Sequence, residues 1–229
     1  MPRAKRTTKR PRRTNEQRSA ETRGKLIETA IELLYRSGYP ATTTIMVAKQ
    51  AKVSRGAMLH QFRTRVDLLA AVAEYVVAQH QNYRREQLAS AGTGLQRFVA
   101  AGEIAWQLHC QPSAIALLEI TMATRSDPAL RRRLAPIIKD VQALRRWAAP
   151  MVAADLRSDD TVLIQDLIHL HQMAYRGLAI ELMFTEDAAE IERARRLFMH
   201  FEQLFAAELA ANANKVSPRQ IVRAAKSRA

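Results

Sequence analysis

Apolar residues recur at intervals of three and four along most of the chain, the spacing that places side chains on one face of an α-helix. The pattern predicts nine helices. Their approximate bounds are 15–38, 44–51, 55–61, 65–89, 93–109, 112–124, 128–151, 159–184 and 187–211, and the first start lies anywhere between residues 15 and 22. Alternating β-branched runs are almost absent, and only seven glycines interrupt the chain, so we predict an all-α fold.

Helix-capping residues stand at several of these boundaries. Thr64 followed by Asp67 resembles a capping box and predicts the start of the fourth helix. Thr93 with Gln96 predicts the same arrangement for the fifth. Gly38 stands where a glycine would end the first helix.

Residues 42–65 contain two short helical patterns around a tight turn. Ser54 offers an N-cap to the second helix, and Met58 and Phe62, four residues apart, share its inner face. The positions left to face outward or sideways are Arg55, Ala57, Leu59, His60 and Gln61. This arrangement predicts a helix-turn-helix, whose second helix can enter the major groove of DNA.

Charge is distributed unevenly along the chain. The net charge of +14 divides into +7 for residues 1–18, +5 for 19–65, −3 for 66–211 and +5 for 212–229. We therefore expect four parts: a basic disordered arm (1–18), a helix-turn-helix domain (19–65), a helical body (66–211) entered through the fourth helix (about 65–89), and a basic tail (212–229). A chain whose basic charge lies outside its slightly acidic body is expected to bind a polyanion through its basic parts. Nucleic acid is the first candidate.

The sequence also indicates a compartment. Cys110 is the single cysteine, which excludes an internal disulfide and fits a reducing environment. No apolar run approaches the length of about 18 residues needed to span a bilayer, and no apolar segment follows the basic N-terminus. We expect a cytoplasmic protein without a membrane partner.

The last two predicted helices suggest self-association. The eighth is apolar over most of its circumference, and the ninth carries a broad apolar face opposite Glu190, Arg193, Arg196 and Glu202. Together they could form half of a four-helix interface in a homodimer. Burial of these faces within one subunit is the alternative.

The N-terminal third resembles the DNA-binding domain of the tetracycline-repressor (TetR) family of bacterial transcriptional regulators. The resemblance covers about residues 19–79. It rests on a combined motif of two threonines, a Val-Ala pair, an Ala-x-Val-Ser turn, a glycine and an aromatic ending, represented here by Thr42, Thr43, Val47, Ala48, Ala51, Val53, Ser54, Gly56, His60 and Phe62 and followed by Arg65, Leu68 and Leu69.

This resemblance implies a dimer that presents one helix-turn-helix to each half of a palindromic operator in double-stranded DNA. Helices 4 to 7 would surround an unidentified small-molecule effector, and helices 8 and 9 would form the homodimer. Effector binding would change the separation of the two DNA-binding heads and release the DNA, so the resemblance implies a repressor. The alternative left open is an architectural protein that coats DNA with little sequence preference.

Residues of the helix-turn-helix receive distinct expected roles. Thr43, Thr44, Lys52 and Arg65 lie at helix starts or in the turn, where they would hold phosphates. The candidates for contact with base edges are Arg55, Ala57, Leu59, His60 and Gln61, and Gly56 is expected to belong to the DNA-binding surface without reading a base.

Three residues depart from the family motif. Lys52 replaces a turn glycine, Leu59 replaces a common tyrosine, and Met46 replaces an acidic capping partner. We expect a conformational cost of roughly 1 kcal/mol or more at Lys52 if the turn requires positive φ.

The helical body offers candidates for an effector pocket, because aromatic side chains with a few polar groups suit small ligands. These are Trp106, His109, Met122, Trp147, Met151, His169, Met173, Tyr175 and Arg176. Ordinary core packing is the alternative for each of them. No nucleophile elbow, Cys pair or His-Glu-x-x-His motif is present, so we expect neither an enzyme nor a metal site, and no cofactor.

Overall fold

The computed structural model describes residues 14–212, excepting the side chains of residues 144–147 and 212. This part of the chain is all-α. Its nine helices are α1 (Asn15–Ala41), α2 (Thr44–Gln50), α3 (Arg55–Gln61), α4 (Arg65–Ala89), α5 (Leu95–His109), α6 (Pro112–Ala123), α7 (Pro128–Asp155), α8 (Thr161–Glu181) and α9 (Ala188–Asn212). The predicted helical spacing is confirmed for all nine.

A continuous apolar core joins the helix-turn-helix to the body. Leu26 and Leu34 of α1, together with Met58 and Phe62 at α3, are at most 2% exposed. The same cluster continues through the first half of α4 to Ile120 and other residues of α6 and α7. Because the two predicted domains share this core, a movement of α6 changes the packing beneath the helix-turn-helix.

A second apolar core lies farther along the body. It gathers Phe98 from α5, Leu156 next to α7, Ile164 and Leu167 from α8, and Leu209 from α9. The body is therefore built around two clusters, and α5 and α8 pack between the other helices.

Helix starts follow the sequence at some boundaries and depart from it at one. The capping box at Thr64 is confirmed, since the Asp67 N–H donates to its hydroxyl and the Thr64 N–H donates to the Asp67 carboxylate. The predicted capping box at Thr93 is wrong. Gly94 occupies the N-cap position of α5 with φ 62°, and its N–H donates to Asp155 Oδ1 at 2.9 Å. Asp155, 61 positions away along the chain, thus binds the N-cap N–H of α5, where a side chain near the helix start was expected to do so.

Two helices end in the same left-handed motif, although neither uses glycine for it. Lys52 follows α2 with φ 54°, and Arg157 follows α7 with φ 52°. In both cases the next residue donates a 2.9 Å hydrogen bond back to the helix, from Val53 to Ala48 and from Ser158 to Ala153. This is the Schellman arrangement, which favours glycine at the left-handed position. Lys52 thus meets the condition, a positive φ, under which a conformational cost is expected there.

Gly38 ends the regular part of α1. Its φ of 73° lies outside the helical region, and a short helical segment through Pro40 continues after it. The glutamate Glu119 of α6 accepts a 2.7 Å hydrogen bond from the N–H of Tyr39, directly after this kink. The end of α1 is therefore fixed to the body.

None of the helices within residues 14–212 combines the length and apolar character needed to cross a membrane.

Candidate functional site

The helix α3 is held so that one face is buried and the other is exposed. The Ser54 hydroxyl accepts the Ala57 N–H at 3.2 Å, which fixes the start of the helix. Met58 is 1% exposed, and Phe62 lies under the guanidinium of Arg23, 4.6 Å from its ring centroid. The inner face therefore has no freedom to rotate outward.

The outward face of α3 presents a short and chemically mixed surface. Arg55, Gly56 and His60 are exposed, and Leu59 is 43% exposed. A Cβ atom at position 56 would meet nothing within 4 Å, so packing within the chain does not require glycine there. An open backbone at the first turn of an exposed helix leaves room for the close approach of another molecule.

Two of the predicted base-reading residues, Ala57 and Gln61, are less available on the exposed face of α3. The Gln61 side-chain amide donates a 2.7 Å hydrogen bond to the hydroxyl of Ser19 on α1, and Ala57 is half-buried. The structure therefore brings Arg55, Gly56, Leu59 and His60 together and leaves Gln61 at the edge of this group, engaged with α1.

The residues predicted to contact phosphates also differ in how available their side chains are. Lys52 is exposed, and Thr44 is half-buried at the start of α2. The Thr43 hydroxyl accepts the Met46 N–H at 3.2 Å, so it serves as the helix cap. The Met46 side chain cannot accept the Thr43 N–H in return, because methionine replaces the acidic capping partner of the family motif.

Arg65 points into the protein rather than toward the exposed face of α3. Its Nε donates to the Thr42 carbonyl at 2.8 Å, its Nη2 donates to the Tyr39 carbonyl, and its guanidinium stacks 3.9 Å from the centroid of the Tyr39 ring. These contacts tie the start of α4 to the end of α1. Arg65 thus positions the helix-turn-helix, and its contact with a phosphate stays a prediction.

The predicted effector-pocket residues do not form one group. Met122 is 52% exposed, Met173 is 38% exposed and His169 is also exposed. Met151 is half-buried, and the side chain of Trp147 lies outside the described residues. The remaining members separate into two places in the body.

The first place is a buried polar cluster between α5, α8 and α9. Nδ1 of His171 lies 2.6 Å from Oε1 of Glu202, and the Tyr175 hydroxyl donates to Oε2 at 3.3 Å. The Trp106 ring lies 6.2 Å from that of Tyr175, and a Cβ at Gly102 would come within 3.3 Å of the Tyr175 hydroxyl. Burial and the adjacent Glu202 carboxylate raise the pKa of Tyr175, so the phenol stays protonated.

Sequence reasoning missed this cluster and placed Glu202 on the polar face of α9. That assignment is wrong, because Glu202 is 7% exposed. His171 is buried and His169 is exposed, so the two side chains lie on different sides of α8. The sequence signal that could have found the cluster is a carboxylate next to the broad apolar face of α9. Carboxylates are rarely buried unless they are paired, so such a residue indicates a buried partner.

The second place lies where α4, α5, α6 and α8 approach one another. It contains His109 and Arg176 from the predicted set, and it adds His80 and Arg84 from α4. His80 and Arg84 are four residues apart and so share one helix face. This spacing was the signal that could have indicated them.

Comparison with known proteins gives three kinds of match. Residues 26–72 match the family model for bacterial regulatory proteins of the tetR family. The HTH-type transcriptional regulator CymR of Pseudomonas putida is 30% identical over 186 residues, which cover 80% of this chain and 90% of that relative.

Solved structures match over most of the chain. A transcriptional regulator from Rhodococcus sp. Rha1 has a TM-score of 0.62 at 17% identity, over 81% of this chain and 97% of that one. The multidrug binding protein EbrR complexed with imidazole has a TM-score of 0.52 at 18% identity, over 79% and 93% of the two chains. At these identities the structures show a common fold.

Proposed function

This chain belongs to the tetR family of bacterial regulatory proteins, and we propose that it is a repressor that a small-molecule effector releases from a palindromic operator. It is a DNA-binding transcriptional regulator. The observation that carries the proposal is the exposed face of α3, which is fixed from behind by Met58 and Phe62. Since bacterial DNA lies in the cytoplasm, we place the protein there.

The residues on the exposed face of α3 would have separate roles in the major groove. Arg55 can donate two hydrogen bonds to O6 and N7 of guanine, and Leu59 can contact the methyl group of thymine. Gly56 lets the backbone approach the DNA closely. Lys52 and Thr44 remain as phosphate contacts, which fix the register without reading sequence.

An exposed apolar surface supports the dimer that a palindrome requires. On α9 it comprises Leu197, Phe201, Leu204 and Phe205, which are between 37% and 59% exposed and recur at helical spacing. On α8, Val162, Leu170 and Met173 are also well exposed. A second copy related by a two-fold axis would cover both helices and place two α3 helices on one side of the dimer.

Selection of bound sequences from random DNA at physiological salt tests operator recognition. We expect a palindromic consensus. Arg55→Ala should weaken binding by roughly 1 to 3 kcal/mol and relax one guanine position in each half-site. Leu59→Ala should weaken binding mainly where a particular thymine is present. Equal affinity for the selected operator and a shuffled sequence would instead favour the architectural alternative.

Sedimentation of paired variants tests the α8–α9 dimer. Phe201→Glu should give a monomer that binds the full operator far more weakly, because a carboxylate cannot be buried unpaired in an apolar interface. Leu95→Glu is the matched control, since Leu95 is 39% exposed at the start of α5. A Phe201→Glu protein that remains dimeric would place the interface elsewhere.

A further inference from the structure

Four basic side chains from three helices lie close enough to interact electrostatically, and one of them, His80, contacts the start of α6. His80 and Arg84 come from α4, His109 comes from the end of α5, and Arg176 comes from α8. Arg84 acts electrostatically on both histidines, and Arg176 acts on His109. These four residues are called the basic site below.

The two histidines of the basic site are held by uncharged partners. Nε2 of His80 lies 2.9 Å from the Ser113 hydroxyl, which belongs to the first turn of α6. Nε2 of His109 lies 3.2 Å from the amide oxygen of Gln172. Both rings are half-buried, so their orientation is fixed by helices on either side.

Arg84 differs from other arginines that pack into the body. Arg97 forms a 2.6 Å ion pair with Asp155, and Arg195 forms 2.7 Å ion pairs with Glu103 and Glu192. Arg84 is half-buried, but within residues 14–212 no hydrogen bond or ion pair joins its guanidinium to another residue.

The pKa shifts of His80, His109 and Arg84 show no contribution from a neighbouring carboxylate. Burial, followed by the charge of Arg84, lowers the pKa of His80 to about 4. Burial and the charge of Arg176 lower the pKa of His109 to about 4 as well. Burial also lowers the pKa of Arg84. A neighbouring carboxylate would act in the opposite direction on each group, and none contributes to these shifts.

An arginine keeps its proton even when buried, so its charge must be compensated by other means. Withdrawing it from water without a counterion costs free energy that the fold recovers at Arg97 and Arg195 through carboxylates. For Arg84 the missing partner is an anion from outside the described residues.

We propose that the basic site binds a small organic anion, with Arg84 as its charge partner and the rings of His80 and His109 lining the site. This deepens and rests on the proposed function, because it gives the effector a chemical class. The contact of His80 with Ser113 places the site against α6. Since α6 shares the apolar core beneath the helix-turn-helix, an anion here can change the position of the reading head.

Titration calorimetry on the full chain tests binding without DNA. The probes are benzoate, octanoate and glycerol 3-phosphate, and benzamide is the neutral match for benzoate. We expect at least one anion to bind and benzamide not to bind. Selective binding of carboxylates or of the phosphate identifies the head group. Binding of no anion at millimolar concentration, or equal binding of benzamide and benzoate, overturns the proposal.

Paired arginine variants test the location. Arg84→Met keeps the length of the side chain and removes its charge, so anion binding should weaken about 10- to 100-fold. The apo form of this variant should be at least as stable as the parent, because an uncompensated charge is removed. Arg85→Met is the control, since Arg85 is the next residue on α4 and is exposed. Unchanged anion affinity in a folded Arg84→Met protein overturns the proposal.

Operator release is measured separately by fluorescence anisotropy. An anion that binds and also releases the operator supports both the basic site and the repressor mechanism. If the anion binds but the operator stays bound, the basic site stands and effector release fails. If no anion binds while the operator is recognised, the basic site fails and the DNA-binding function stands.

Discussion

The hydroxyl of Tyr39 donates a 3.0 Å hydrogen bond to Oδ2 of Asp127, joining the end of α1 to the N-cap of α7. The backbone N–H of Tyr39 also donates to Glu119 on α6, and Arg65 stacks on its ring. The N–H of Leu130 and the Tyr39 hydroxyl help to hold the pKa of Asp127 below its ordinary value, so this carboxylate stays charged. Tyr39 therefore contacts both the helix-turn-helix and the body.

Tyr39→Phe tests this connection. The variant keeps the ring beneath Arg65 but loses the bond to Asp127, so the free energy of unfolding should fall by about 1 kcal/mol. The loss of operator affinity caused by a bound effector should also become smaller, because the two parts are less firmly joined. Urea unfolding and anisotropy measure these effects.

Tyr35→Phe is the matched control for this variant, since Tyr35 lies one turn earlier on α1 and is 40% exposed. We expect it to leave both quantities unchanged. A Tyr39→Phe protein with the stability and effector response of the parent would show that the hydroxyl does not couple the two parts.

Glycine at the two left-handed helix ends should stabilise the protein. Lys52→Gly and Arg157→Gly each relieve a positive φ, which is worth about 1 kcal/mol when the entropy of glycine in the unfolded chain is included. Only Lys52→Gly should weaken DNA binding, and it should do so at every sequence, since it removes a phosphate contact. Denaturant unfolding combined with operator titration over a range of salt separates stability from charge.

The start of α5 distinguishes a local cap from a tertiary one. Asp155→Ala should lower the melting temperature by several degrees, because Gly94 and Arg97 lose their shared acceptor. Thr93→Ala should leave the melting temperature within about one degree, since α5 has no side-chain cap bond. Differential scanning calorimetry provides the measurement. The reverse order of effects would restore the capping box that the sequence indicated.

Stability should fall in mild acid because of the basic site. His80 and His109 have pKa values of about 4 in the folded protein, against an ordinary value of 6.5 in the unfolded chain. The unfolded chain therefore binds more protons between these values, and the free energy of unfolding should decrease as pH falls from 6.5 toward 4. Arg84 and Arg176 oppose protonation in the folded state.

Urea unfolding at a series of pH values measures this effect. The double variant His80→Gln, His109→Gln should show a flatter dependence than the parent. His169→Gln is the control, since His169 is exposed on α8. A bound anion should reduce the loss, because it favours the protonated rings. Identical pH profiles for the double variant and the parent would show that these two histidines do not govern acid sensitivity.

The sequence predicted the reading head in detail because its structure depends on short spacings. Ser54 caps α3 through a residue three positions away, and Met58 and Phe62 are one helical turn apart. The predicted bounds of α3 and the end of α4 agree with the structure. The exposed position of Leu59 follows from the same period, whereas the contact of Gln61 with Ser19 requires a particular packing of α3 on α1.

By itself, then, the sequence determined the helices, the helix-turn-helix and the basic charge of its reading end, since periodicity, caps and charge are local properties. Only the tertiary structure decided that Asp155 of α7 binds the N-cap N–H of α5 and that Glu202 is buried beside His171. It also decided that no carboxylate among the described residues pairs with Arg84. Each of these depends on which helices become neighbours. Helical spacing identifies an inner face, but it does not specify which distant side chain that face will meet.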